Sequence, residues 1–146
     1  MQRFKILAQV GFTLAGISHL ACGGGQPSAS PEGVTVGVDG VLVEFRDGPG
    51  AGTQGLKGTE FSGYAMISQG SWIMIDNTPD NSGCLVILNE GGNISNSSRA
   101  GGACSIDVAE IGAVGGHVSG LFTATVLNET QQKKVLTDGY FRLPVK

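Results

Sequence analysis

Charge and aromatic side chains are both scarce in this chain of 146 residues. Charged residues make up 14% and aromatic residues 6%, and 9 basic against 12 acidic side chains give a net charge of −3. Nucleic-acid binding needs a clustered basic face, so this balance predicts no nucleic-acid partner. The aromatic content is also low for a platform on which sugar rings stack. The 40% of hydrophobic residues is nevertheless enough for a packed core, which argues against disorder.

Helical periodicity is missing as well. The chain has 25 glycines, and they interrupt every apolar segment longer than a turn or two. Alternation of period two, with Gly, Asn and Asp between the segments, predicts strands about 8 to 12 residues apart. We therefore expect an all-β fold, an antiparallel β-sandwich of about seven to nine strands, with a small β-barrel as the alternative. Four of the predicted strands are residues 85–88, 103–108, 117–127 and 133–143.

The first predicted hairpin folds residues 34–38 onto residues 41–45. Asp39-Gly40 between them is a strong signal for a type I′ turn. Folding about that turn sets each inward residue of one strand opposite an inward residue of the other. One face is then apolar throughout, formed by Val34, Val36, Val38, Val41, Val43 and Phe45.

A second hairpin is predicted around Gln69-Gly70, joining residues 64–68 to 71–75. Regular pairing would place Tyr64, Met66, Ile73 and Ile75 on one side and Ala65, Ile67, Trp72 and Met74 on the other. Apolar groups on both faces indicate either a strand pair covered on both sides or an exposed hydrophobic patch. The covered pair is the commoner arrangement, so we expect Trp72 in the core.

The first 22 residues have the parts of an export signal. Arg3 and Lys5 form a short positive end, and residues 6–21 contain no Asp, Glu, Lys or Arg. That run is too short and too polar to be a comfortable membrane span of about 20 apolar residues. The small residue Ala21 precedes Cys22, and a polar segment rich in Gly, Ser and Pro follows.

These features resemble the signal and lipobox of bacterial lipoproteins. In that family, cleavage before the cysteine leaves it as a triacylated N-terminus, so the resemblance implies lipidation of Cys22. Gly23 replaces the Asp that commonly retains such proteins at the inner membrane, so we expect the outer membrane if the host has one. The predicted organisation is a signal peptide at 1–21, the lipidated cysteine and a tether at 22–32, and a β-sandwich domain at 33–146. The alternative is an ordinary secretory signal cut after Ala21 or a little later.

The last portion of the chain carries a second resemblance. A Gly-x-Phe-x-Ala-x strand at residues 120–125 precedes a Thr-x-Gly-x-Phe strand at residues 137–141. The pair is similar to the closing strands of small bacterial lipoprotein β-domains of unknown function. The resemblance spans about thirty residues and implies a fold rather than a role.

Three cysteines in an exported protein suggest one bridge and one cysteine with another purpose. Cys84 and Cys104 can pair, which leaves Cys22 for acylation. The segment between them, residues 89–102, is mostly Gly, Asn, Ser and charge, so we predict a long mobile loop closed by a disulfide that stabilises the fold by about 3 kcal/mol. Long loops of this kind often bind ligands and as often are tolerated insertions. Its candidate binding residues are Asn93, Asn96 and Arg99.

Catalytic and cofactor signals are weak. Once the leader is removed, His117 is the sole histidine, and it begins an apolar strand, where an ordinary hydrogen bond is expected. An acid pair from Asp107, Glu110 and Asp138 would need carboxyls about 5 to 10 Å apart to cleave a glycoside. Residues 50–55 match a dinucleotide fingerprint, but the flanking Pro49 and Gly58 favour a loop or bulged connection over the required helix. We therefore expect no enzyme, no metal and no cofactor.

Two non-enzymatic roles remain. The first is a structural or assembly role in the cell envelope, with the chain held to the membrane by its lipid and docked through edge strands or a hydrophobic patch to copies of itself or an envelope protein. The second is a tethered binding module that displays Tyr64, Trp72 or Tyr140 to a glycan, peptide or envelope partner. We rank the structural role first. An exposed Tyr64–Trp72 pair lining a groove would favour ligand binding, whereas burial of the pair would favour assembly.

Overall fold

The structure is a computed structural model that describes residues 31–46 and 52–146. A short 3-10 helix, Pro79–Asn81, lies between the fifth and sixth strands. Within the described residues no helix has the length and apolarity needed to cross a membrane. The described residues form ten strands: β1 (Gly33–Val38), β2 (Val41–Arg46), β3 (Gly52–Lys57), β4 (Glu60–Ser68), β5 (Ser71–Asp76), β6 (Leu85–Glu90), β7 (Asn93–Asn96), β8 (Ala103–Ile111), β9 (His117–Leu127) and β10 (Lys133–Pro144).

Eight of these strands close into an antiparallel β-barrel. The ring runs β1-β2-β4-β5-β6-β7-β9-β10, and it closes because β10 pairs with β1 along one edge and with β9 along the other. Outside the ring, β3 pairs with β4 and β8 pairs with β9. The all-β prediction is confirmed. Of the two architectures considered, the structure has the barrel and not the sandwich, since the double pairing of β10 closes what would otherwise be one open sheet.

The core fills the inside of the ring with alternate residues of each strand. Its largest fully buried side chains include Phe45, Phe61, Phe141 and Ile73. The Phe61 and Phe141 ring centroids are 5.2 Å apart. Burial of a side chain of this size contributes about 1.5–3 kcal/mol relative to exposure, so the interior alternation is the main stabilising pattern of the barrel.

The first hairpin forms as predicted. Asp39 and Gly40 both have positive φ, 49° and 84°, as a type I′ turn requires, and Val34 pairs with Phe45. Val41 departs from the predicted apolar face because it sits next to the turn and is 67% exposed.

The second hairpin has a different register from the prediction. Ser68 pairs with Ser71 across the turn, but Met66 pairs with Trp72, so Ile67 is an extra residue in β4. Such a β-bulge moves every residue before it to the opposite face of the sheet. Tyr64 and Met66 therefore share the outer face with Trp72 and Met74, and the predicted division between the two faces is wrong.

The prediction of a long loop at residues 89–102 is also wrong. The β-strand β7 lies within it and pairs with β6 through a two-residue turn at Gly91 and Gly92, both of which have positive φ. Strand β3 likewise occupies residues that were predicted to be a loop or bulged connection. Residues 50 and 51 of that segment lie outside the described residues.

The Gly-x-Phe and Thr-x-Gly-x-Phe strands pack together through their glycines. A β-carbon on Gly139 would lie 2.5 Å from Cε1 and 2.6 Å from the carbonyl oxygen of Phe122. A β-carbon on Gly120 would lie 2.7 Å from Cζ of Phe141 and would also meet the carbonyl oxygen of Asp107. Each glycine thus leaves room for a ring of the partner strand, which gives the repeated Gly and Phe positions a packing explanation.

Candidate functional site

An apolar surface covers the outside of β4, β5, β6 and β7. Two rows of paired residues cross these strands side by side. One row runs Arg46–Met66–Trp72–Asn89–Ile94, and the other runs Gly52–Tyr64–Met74–Ile87–Asn96. We call the apolar members of the two rows the outer apolar face: Tyr64, Met66, Trp72, Met74, Ile87 and Ile94.

The centre of the outer apolar face is the pair Tyr64 and Trp72. Their ring centroids lie 5.6 Å apart with an angle of 49° between the planes. Both side chains are half-buried, because large neighbours on adjacent strands cover one another. Trp72 is therefore not in the core, in contrast to the prediction, because successive residues of β5 alternate and the inner positions belong to Ile73 and Ile75.

Charge is confined to the rim of this face. Arg46 is the one charged residue in the two rows as described, and its guanidinium pairs with the carboxylate of Glu44 on the same strand. Ile94 is the most open member of the face, with 44% of its surface exposed. The sequence signal for such a face was present, since β4 and β5 carry apolar residues on both sides. Met66 and Met74 were predicted to lie on opposite sides because the bulge in β4 was not foreseen. Ile94 was missed because β7 was predicted to be part of a loop.

Asp76 lies at another edge of the same outer surface, between Ser62 and Leu85 on the neighbouring strands. Its Oδ1 accepts hydrogen bonds from the backbone N–H of Thr78 at 2.8 Å and from the Thr78 hydroxyl at 2.6 Å. Burial alone would raise the pKa of Asp76, but these hydrogen bonds, with others from Asn81 and Ser62, hold the pKa below its ordinary value of 3.8. The carboxylate thus stays ionised and holds the turn that leads to β6.

The asparagines of the two rows hold turns. The Oδ1 of the buried Asn89 accepts the backbone N–H of Gly92 at 3.0 Å. The Oδ1 of Asn96 accepts the hydroxyl of Ser98 at 2.9 Å and the backbone N–H of Arg99 at 3.1 Å. Asn96 was predicted as a candidate binding residue, but its side-chain oxygen accepts hydrogen bonds within its own turn.

The other two predicted residues of that segment contact the turn after β9. The Oδ1 of Asn93 accepts Nδ2 of Asn128 at 3.2 Å, and Nη2 of Arg99 lies 3.9 Å from Oε1 of Glu129. A pocket of about 220 Å³ lies here, lined by Gly92, Asn93, Ile94, Asn128, Glu129 and Thr130. Asn128 is buried, and its side chain also bonds to Thr130 and Gln132, so it shapes this turn.

Tyr140 is separated from Tyr64 and Trp72. It lies on β10, and each path around the ring from β10 to β5 takes four steps, β10-β1-β2-β4-β5 or β10-β9-β7-β6-β5. Tyr140 therefore lies on the opposite side of the barrel from Tyr64 and Trp72. We call the outer surface of β8, β9 and β10 the polar side. It has a shallow depression of about 380 Å³, and the residues lining it are Ser105, Asp107, Leu121, Phe122, Thr123, Asp138 and Gly139.

His117 joins the start of the described chain to the end of β10. Its Nε2 contacts Oε1 of Glu32, and its Nδ1 lies 3.2 Å from Nη2 of Arg142. A guanidinium can only donate, so Nδ1 accepts and the proton on Nε2 is directed at the carboxylate. Among residues 31–46 and 52–146, no group of three or more His, Cys, Asp or Glu side chains is placed to hold a metal ion.

The predicted disulfide between Cys84 and Cys104 is present, with the two Cα atoms 6.0 Å apart. It ties the segment before β6 to β8. Cys22, the predicted lipidation site, lies outside the described residues. No family model, curated protein or solved structure matches this chain.

Proposed function

We propose that this chain is a lipid-anchored protein of the bacterial cell envelope with a non-catalytic role in envelope structure or assembly. The anchor is an acylated Cys22, and the barrel is the part that meets other envelope components. The pattern of residues 1–22 supports the anchor, because a positive end, an uncharged run and a small residue before cysteine are the parts of a lipoprotein signal.

The observation that carries the structural role is the outer apolar face. A contiguous apolar surface with polar residues at its rim is typical of a docking surface. It spans three strand spacings from Met66 on β4 to Ile94 on β7, about 14 Å, with the buried Asn89 between Trp72 and Ile94. Small ligands are usually held in concave pockets, whereas this side of the barrel presents side chains along regular rows of a sheet, which suits a broad partner.

The alternative role is a tethered binding module for a glycan, peptide or envelope partner. The depression on the polar side favours it, because the carboxylates of Asp107 and Asp138 and the hydroxyls of Ser105 and Thr123 could accept hydrogen bonds from a sugar. Titration of soluble oligosaccharides against the wild-type chain and Asp138→Asn would test it. Binding that the substitution weakens would favour this module over the structural role.

The lipid anchor is tested by feeding labelled palmitate to cells that make the chain. The wild type should incorporate the label, and Cys22→Ala should not. The matched control is the double variant Cys84→Ala, Cys104→Ala, which lacks two cysteines and should still be labelled. Label in Cys22→Ala, or none in the wild type, would contradict the proposal.

Cell fractionation is a second test of the lipid anchor with the Cys22→Ala variant. The wild type should remain with washed membranes, because several acyl chains hold far more firmly than one. Cys22→Ala should be released into the soluble fraction. Its retention after washing would mean that something other than an acylated Cys22 holds the chain.

A further inference from the structure

We propose that a groove along β9, on the polar side of the barrel, binds an oligosaccharide whose sugar units carry free amino groups. This inference rests on the alternative role given above, a tethered binding module. It deepens that role, because it names the chemical class of the glycan and the direction in which the glycan lies on the barrel. The lipid anchor and the structural role do not depend on it.

The groove consists of two depressions that meet on β9. Each has a volume of about 380 Å³, and Ser105 and Thr123 line both of them. From these two residues one depression extends to Leu121 and the other to Thr125. Leu121 and Thr125 are four strand residues apart, about 14 Å. We call the two depressions together the β9 groove, and its length suits an extended ligand that lies parallel to β9.

A bulge in β10 directs two consecutive side chains into the β9 groove. The pairing of β10 with β9 shifts between Leu136 and Gly139, so Thr137 and Asp138 both lie opposite Thr123. Neighbouring side chains of a regular strand point to opposite faces, but here Thr137 lines one depression and Asp138 lines the other. Bulges that re-aim a side chain in this way are common next to binding and catalytic sites.

The polar side chains of the β9 groove are not used by the fold. Within the described residues, the hydroxyls of Ser105 and Thr123 and the carboxylates of Asp107 and Asp138 make no hydrogen bond or ion pair with another residue. In the pocket next to Asn128, by contrast, the polar side chains bond to one another. The β9 groove is therefore the depression whose hydrogen-bonding groups are open to a ligand.

The charged residues described along the β9 groove are both acidic. Asp107 lies on β8 and Asp138 on β10, on the two sides of β9, and none of the described residues that line the depressions is Lys or Arg. Residues 103–127 contain neither. An ionised carboxylate only accepts hydrogen bonds, so the ligand must donate them, and a protonated amine does so with opposite charge. A ligand rich in carboxylates or phosphates would be repelled.

The rest of the lining matches a sugar chain better than a simple polyamine. The hydroxyls of Ser105 and Thr123 both donate and accept hydrogen bonds, as sugar hydroxyls do. Leu121 and Val135 are 56% and 40% exposed, and they give one depression each an apolar surface for the carbon faces of sugar rings. A polyamine would leave the hydroxyls without partners, so we infer a glycan that carries amino groups.

Calorimetric titration of the full chain in mild detergent tests the inference with three soluble hexamers: glucosamine, N-acetylglucosamine and galacturonic acid. The pH is mildly acidic, so that the sugar amines are protonated. We expect the glucosamine hexamer to bind about tenfold more tightly than the N-acetylglucosamine hexamer, because two exposed charge pairs each contribute about three- to fivefold. Added salt should reduce this advantage, and the galacturonic acid hexamer should not bind.

Substitutions assign the binding to the β9 groove. Asp107→Asn and Asp138→Asn should each weaken binding of the glucosamine hexamer about three- to fivefold and leave the N-acetylglucosamine hexamer nearly unaffected. Thr123→Val, which removes a hydroxyl available to both, should weaken both hexamers by a similar factor of about three. Asp80→Asn removes the same charge from the exposed 3-10 helix and is the matched control, which should change neither. Equal effects of Asp80→Asn and Asp138→Asn would overturn the assignment.

Three further results overturn the inference, and they separate its failure from that of the proposed function. Equal affinity for the glucosamine and N-acetylglucosamine hexamers would leave the binding module in place without selection for amines. A lysine hexapeptide that binds as tightly as the glucosamine hexamer would show that charge alone is recognised. If no hexamer binds, the glycan-binding role falls with the inference, whereas palmitate labelling of Cys22 still tests the lipid anchor independently.

Discussion

The two opposite sides of the barrel, centred on β5 and β10, share one interior and differ in what they present outside. Inward residues on both sides are of the same kind, such as Ile73 and Ile75 on β5 and Phe141 and Leu143 on β10. Outside β5 the rows are apolar around Trp72, whereas outside β8, β9 and β10 hydroxyls and carboxylates lie among the exposed Leu121 and Val135. The strand alternation is the same on both sides, so the fold does not require the difference. Outer positions are where this barrel can carry a function.

The two sides are also covalently connected. Cys84, just before β6 on the apolar side, bonds to Cys104 in β8, which lies outside the ring on the polar side. The ring itself closes between these regions through one residue pair, Asn96 with Leu127. The disulfide therefore reinforces a junction of the ring where the described strands pair through one residue pair, as they also do between β2 and β4.

The largest expected effect on stability comes from removing this connection. The double variant Cys84→Ala, Cys104→Ala should lower the free energy of unfolding by about 3 kcal/mol, because the bridge closes a loop with a sequence separation of 20 residues in the unfolded chain. Urea denaturation in oxidising buffer measures it. The wild type in reducing buffer should show a comparable loss. Equal midpoints for wild type and variant in oxidising buffer would show that the bridge does not stabilise the fold.

A smaller loss is expected at the glycine packing of the polar side. Gly139→Ala would press a methyl group against the Phe122 ring and backbone and should cost about 1–3 kcal/mol. Gly70→Ala is the control on the apolar side, since a β-carbon there meets nothing closer than Gly91 Cα at 3.9 Å, and it should change stability by at most about 0.5 kcal/mol. Thermal unfolding of the two variants gives the comparison, and an equal loss in both would contradict the packing explanation.

Asp76, at the edge of the apolar side, is expected to make the stability of the fold depend on pH in acid. The pKa of Asp76 is lower in the folded chain than its ordinary value of 3.8, so its contribution to stability is present above that value and is lost as the pH falls through the folded pKa. Asp76→Asn should flatten the dependence of the unfolding midpoint on pH below about 4. Thr78→Val, which removes one hydrogen-bond donor, should flatten it less. An unchanged profile in both variants would exclude this role of Asp76.

The smallest effect on stability is expected from one exposed apolar residue on each side, Ile94 on β7 and Leu121 on β9. Ile94→Thr and Leu121→Thr should each change the free energy of unfolding by about 0.5 kcal/mol or less, because both side chains are exposed. Urea denaturation of both variants tests this. A loss of about 2 kcal/mol or more in Ile94→Thr alone would mean that the outer apolar face serves folding, and the comparison between the two sides would fail.

The residues that were predicted correctly are those whose structure depends on near neighbours in the sequence. Asp39-Gly40 determines both the turn and the register of β1 with β2, so the pairing of residues in that hairpin could be predicted one by one. The disulfide followed from counting cysteines in a chain that was expected to be exported.

The predictions that failed depended on a single irregularity or on distant pairing. The extra residue Ile67 reversed the faces of β4, and nothing in its immediate sequence distinguishes it from a regular strand residue. Strand β7 is polar and short, and it forms because β6 offers it an edge. Closure of the barrel requires β10 to pair with β1, about a hundred residues away in the chain, which local patterns do not encode.

The mass of the mature chain, purified from the membranes of its own host, tests the central claim most directly. The account predicts a chain that begins at Cys22 and is heavier than its amino acids by the mass of the attached acyl groups, with the added mass located on the N-terminal residue. A chain with a free thiol at Cys22, or one that still carries residues 1–21, would contradict the lipid anchor.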